Sequence, residues 1–97
     1  MKVFLSHKMS GLSEEEVMSI RKEAMTYLQN RYGDIDIIDN YHHKNVPENA
    51  WRLWHLGASI QQMEEADAIY FCKGNDDCNG CHIEKEICRT YGLKILD

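Results

Sequence analysis

The stretch Asp67–Gly92, DAIYFCKGNDDCNGCHIEKEICRTYG, decides the fold. It reads as strand, polar loop, helix and stop. Ala68 to Cys72 is a short apolar run of β-branched and aromatic residues, the composition of a strand buried on both faces of a parallel sheet. Lys73 to Asn79 supplies turn residues. Gly80 opens a helix whose apolar positions Ile83, Ile87 and Tyr91 recur at a constant spacing, and Gly92 stops it as a C′ glycine can. Glu84 lies about 100° around that helix from Ile83. It is expected to flank the buried stripe near the helix N-terminus and to face the loop mouth.

Upstream, Lys2 to Ser6 reads as a first strand and His7 to Leu12 as the loop that leaves it. Ser13-Glu-Glu-Glu16 is a capping box, so a long helix starts there, with Val17, Ile20, Ala24, Tyr27 and Leu28 on its apolar face and Tyr32-Gly33 at its end. Ile35 to Asp39 alternates apolar and charged residues, which predicts a strand at the edge of a sheet. Asn40 to Asn45, including His42 and His43, reads as a loop. Pro47 suits the first residue of a second helix, in which Leu53, Leu56, Ile60 and Met63 form one core stripe. Trp51 and Trp54 either widen that core face or form an aromatic patch covered by another subunit; burial in the core is the expectation for tryptophan. Leu93 to Leu96 is a last short strand.

This alternation of strands and helices predicts one α/β domain spanning residues 1–97, three-layered and flavodoxin- or Rossmann-like. Its four-stranded parallel sheet has the order 2-1-3-4 with three helices. Such a sheet binds ligands beyond the carboxyl ends of strands 1 and 3, where the chain reverses its winding direction. Two loops meet there, His7–Leu12 and Lys73–Gly80. The backbone amides of Ser10 and Gly11 and of the third helix's first turn, together with Lys8, suit a phosphate or sugar hydroxyls. His7, beside them, is placed to contact a base or a phosphate. Glu84, near a positive helix end, is expected to stay ionised, which suits a nucleophile at an anomeric carbon. Asp67, at the start of the third strand, is expected to be a capping or turn residue away from the site.

Composition narrows the partners. The chain has 97 residues and a formal charge of -5, without a block of lysine or arginine, which argues against a nucleic-acid backbone as partner. A domain this small buries only ~60–65% of its unfolded surface, so a homo-oligomer is expected. No apolar span points to a membrane and no signal-like stretch precedes the first strand, so a cytoplasmic protein with reduced thiols is expected. Cys78-Asn-Gly-Cys81 also raises a structural zinc site, with Cys72 as the best third ligand. A fourth ligand is missing, so no metal is assigned.

Three segments carry a resemblance: MKVFLSHKMSGL at the start, EEADAIYF before the loop, and NGCHIEKEICRTYGLKIL after it. In order and spacing they are similar to the nucleoside 2-deoxyribosyltransferase-like superfamily, especially its small bacterial and phage branch. The resemblance implies cleavage or transfer at the N-glycosidic bond of a small-molecule nucleoside or nucleotide, with no cofactor. It makes Glu84, four residues after Gly80, the nucleophile. It places Phe4 where the family has a tyrosine that orients this glutamate, and Ser59 where it has an aspartate that handles the leaving base. Asp76 or Asp77 in the loop, or His55 one turn before Ser59, are the candidates to substitute for that acid. A nucleotide-binding module that does not cleave its ligand is the alternative.

Overall fold

The computed structural model describes all residues, Met1–Asp97. In chain order it contains β1 (Lys2–Ser6), α1 (Glu14–Tyr32), β2 (Asp36–Ile37), α2 (Arg52–Met63), β3 (Ala68–Phe71), α3 (Asn79–Tyr91) and β4 (Ile95–Leu96). A single 3-10 turn, Asn75–Asp77, interrupts the loop between β3 and α3. The sheet is parallel throughout and runs β2-β1-β3-β4. The longest pairing joins Val3–Ser6 to Ala68–Phe71. The expected order therefore holds.

The two-residue period of β1 sorts the core onto two faces. Val3 and Leu5 pack with Ala24 and Leu28 of α1, whereas Phe4 packs with Met63 of α2, Ile69 of β3 and Cys88 of α3. Ser6, two residues beyond Phe4, falls on the α2/α3 side and meets Glu84 there. Strand parity thus carries a hydroxyl to the site.

Local chemistry explains where the elements begin and end. Ser13 Oγ accepts the Glu16 N–H and Glu16 Oε1 accepts the Ser13 N–H, both at 3.1 Å, which completes the expected capping box. Gly92 ends α3 in the left-handed region at φ 69°, where a side chain would be strained. Asp67 Oδ2 accepts the Lys2 N–H at 2.8 Å, tying the amino end of β1 at the sheet edge remote from the ligand mouth.

Three expectations need correction. Pro47 does not start α2: its carbonyl accepts the Ala50 N–H at 3.0 Å in a turn, and the helix begins only after Trp51. The fixed φ of proline suits the corner of a turn as well as a first helical residue. Secondly, α2 turns Ser59 and Met63 inward, leaving Leu53 81% and Trp51 73% exposed. Trp54 stays half-buried. Thirdly, the buried stripe of α3 is Cys81, Glu84 and Cys88, with Ile83 and Tyr91 exposed. Glu84 lies within that stripe instead of beside it.

Candidate functional site

A cavity of about 560 Å³ opens where the loop after β1, the first turns of α2 and the N-terminus of α3 converge. Its wall includes His7, Lys8 and Ser10 from the first loop, His55 and Ser59 from α2, and Asp77, Gly80 and Glu84 from the other side. Of the eight substrate-side residues named from the sequence, six line it. The two that do not are Phe4, wholly buried in the α2/α3 core, and Gly11, which lies outside the cavity wall.

Glu84 is 6% exposed. Its Oε1 accepts a 2.7 Å hydrogen bond from Ser6 Oγ, leaving Oε2 as the free oxygen of a carboxyl that lines the cavity. Burial pushes its pKa up to about 7, against the opposing effect of the Ser6 hydrogen bond. The expectation that Glu84 stays ionised is corrected: desolvation dominates, and the group changes charge near neutrality. Ser6 supplies the hydroxyl that Phe4 lacks. The sequence did hold a signal for it, since Phe4 and Ser6 share one face of a strand.

The second carboxylate of the cavity is in the opposite state. Lys8 Nζ meets Asp77 Oδ2 at 2.6 Å, joining the two loops across the mouth. The ammonium holds the Asp77 carboxyl below its usual range. Asp77 is therefore an anion that positions Lys8 and is unsuited to giving a proton to a leaving group. It also occupies the ammonium expected to hold a phosphate.

His7 is similarly engaged. Arg21 Nη1 donates to His7 Nε2 at 2.8 Å, and His7 Nδ1 lies 3.3 Å from the Lys8 carbonyl, which it meets as a donor. Burial, then Arg21, pushes its pKa down, so a neutral imidazole braces the start of the loop. Arg21 also donates to Asn40 Oδ1 at 2.7 Å and to the Ile38 carbonyl at 3.1 Å, while Asn40 Nδ2 donates to the Leu5 carbonyl. This network of α1, β1 and the segment after β2 was not legible in spacing, because its members are scattered through the chain.

Gly80 touches the opposite wall. A Cβ there would meet Leu56 Cδ1 at 3.7 Å, an ordinary contact, so space alone does not require glycine. The cysteines divide between the two sides of the sheet: Cys72 packs with the α1 core and Cys88 with the α2/α3 core. Cys78 caps α3, its sulfur accepting the Cys81 N–H at 3.2 Å. Cys72 is thus no third ligand for that pair, and no group of three or more His, Cys, Asp or Glu side chains is gathered to hold a metal.

A family model described as a domain of unknown function, DUF4406, matches residues 1–97. The chain belongs to the DUF4406 family. No curated protein and no solved structure matches it. For this DUF4406 chain the chemistry must be argued from the cavity, where one buried carboxyl titrates near neutrality, one exposed carboxylate is neutralised by lysine, and two histidines lie on the wall. No helix is long and apolar enough to cross a membrane.

Proposed function

We propose that the DUF4406 chain binds a nucleoside or nucleotide in this cavity and cleaves or transfers its N-glycosidic bond, with Glu84 as nucleophile. The carrying observation is the Ser6–Glu84 hydrogen bond at the cavity wall: it fixes one carboxyl oxygen and leaves the other for an anomeric carbon. Glu84 Oε2 attacks C1′ as the C1′–N bond breaks, and the bond's electron pair departs with the base, which takes up a proton. Water or a second base then attacks C1′ of the glycosyl ester and restores the carboxylate. Four free cysteines support a reducing, cytoplasmic setting. The exposed Trp51 and Leu53 support a homo-oligomer.

Incubation of the purified protein with nucleosides, deoxynucleotides and NAD-derived nucleotides, followed by chromatography, tests this. The expected result is free base from the wild type and a loss of about 10³-fold or more in Glu84→Gln, the scale of removing an essential nucleophile. A second reading, capture without cleavage, draws on the burial of Phe4 and on Ser59 lining the cavity without a carboxyl. Intact nucleotide recovered from denatured protein, with no free base, would establish it in place of the first.

A further inference from the structure

The departing base needs a proton, and neither cavity carboxyl is suited to give it: Glu84 is the nucleophile and Asp77 is held as an anion by Lys8. A different group stands on the α2 wall. His43, from the segment before α2, and His55 of α2 are stacked with ring centroids 5.3 Å apart, and their Nδ1 atoms approach to 3.0 Å. At that separation one proton lies between the two nitrogens, so one ring donates and the other accepts. His55 and Ser59 line the cavity, and Ser59 Oγ lies 3.4 Å from His43 Nε2. His55 Nε2 is left for a ligand.

Opposing effects set the charge on His43, and the largest is burial, which pushes its pKa down. Gln62 Oε1 is a buried side-chain oxygen without a hydrogen-bond partner, and the Gln62 side chain favours the protonated form of His43, as does Asp39. Burial and the second imidazole oppose the charge. The net effect is downward, so a proton on His43 is held loosely and can pass to His55 through the Nδ1–Nδ1 contact.

Resting on the glycosidase reading, we propose that His55 is the catalytic acid that protonates the leaving base through Nε2, and that His43 is a positioning residue that shares the proton at Nδ1. The cationic pair gives the His55 Nε2 proton to a ring nitrogen of the base as the C1′–N bond breaks and Glu84 forms the C1′–O bond. The pair is left neutral, the ester is neutral and the base leaves uncharged. In the second step the neutral pair takes a proton from the attacking water, and the carboxylate departs from C1′. Charge and atoms balance in both halves.

The test compares two probes with one sugar: deoxyadenosine, whose adenine must be protonated to leave, and 4-nitrophenyl 2-deoxyriboside, whose phenolate leaves without a proton. The same pair with 5′-phosphates covers a nucleotide-specific site. In His55→Gln the ratio of kcat/KM for the adenine probe to kcat/KM for the nitrophenyl probe, a ratio that reads only the first step, is expected to fall about 10²-fold or more. His43→Gln should lower the same ratio by less, because His55 remains. Cleavage of the nitrophenyl probe reports that each variant is folded. An unchanged kcat/KM ratio overturns the acid assignment and leaves the glycosidase reading standing. If wild type cleaves neither probe in either form, the glycosidase reading fails and takes this assignment with it.

Discussion

Burial alone would keep the Glu84 carboxyl protonated well above the ordinary carboxylate range, and the Ser6 hydroxyl limits that rise by donating to Oε1 at 2.7 Å. A nucleophile must be ionised, so release of 4-nitrophenolate, which needs no acid, should increase as pH rises through about 7. Ser6→Ala removes the hydrogen bond to the charged form and should move this rising limb up by about one to two pH units. A pH profile of kcat/KM reads the shift directly. A limb that stays in place in Ser6→Ala would mean that Glu84 is not the titrating group. At this scale Glu84 was legible, from its place after Gly80 in a family-like segment. Its environment was not, because a charged residue inside a buried stripe is invisible to a search for apolar periodicity. Ser6 is a polar end to an apolar strand and carries no signal by itself; only its sharing of one strand face with Phe4, two residues before it, points it to the site.

The elements that present the site were legible where local chemistry dictates them. Ser13 and Glu16 marked the start of α1 because their reciprocal bonds involve only neighbours in sequence. Ser13→Ala should lower unfolding stability by about 1 kcal/mol, seen as a lower urea midpoint with an unchanged slope. Because Arg21 in α1 braces His7 from a position two turns along, the cavity should keep its catalytic pH dependence in that variant. A shifted profile would show that the cap reaches the site. The other two helices were read less well, for tertiary reasons. Cysteine is among the most buried residue types, so Cys81 and Cys88 outcompete Ile83 and Tyr91 for the core, and the helix rotates accordingly. At the amino end of α2, Leu53 lines the cavity, and both it and Trp51 are left exposed, so the stripe fails there. Neither outcome can be read from spacing alone, because each depends on which neighbour arrives.

The fold as a whole was legible because the order of strands follows from connection rules that need only element types. What those rules hide is how buried titratable groups couple to global stability. Glu84 has a folded pKa of about 7 against an ordinary 4.5. Between those values the fold keeps a proton that the unfolded chain has lost, so stability falls as pH rises, by on the order of 3 kcal/mol in all. His7 and His43 act in the opposite sense. Their folded pKa values lie below the ordinary 6.5, so the unfolded chain takes up protons first and stability falls as pH drops below about 6.5. The lowered carboxyls of Glu16, Asp39 and Asp77 act only at more acid pH, near and below their ordinary values. Wild type should therefore show a flattened stability curve between about pH 5 and 7. Glu84→Gln removes one of the opposing slopes: its stability should converge with wild type near pH 4.5, climb with pH across that window by a growing margin over wild type, and hold the full margin above about pH 7. Above about pH 9 both proteins should lose stability together, because unfolded thiols ionise while burial holds Cys72 up to about 12 and raises Cys81 and Cys88 as well. Urea unfolding of the two proteins from pH 4.5 to pH 9.5 checks every part of this. Parallel curves between pH 5 and 7 would mean that Glu84 is ionised in the fold, and the buried nucleophile would have to be abandoned along with the pH dependence drawn from it.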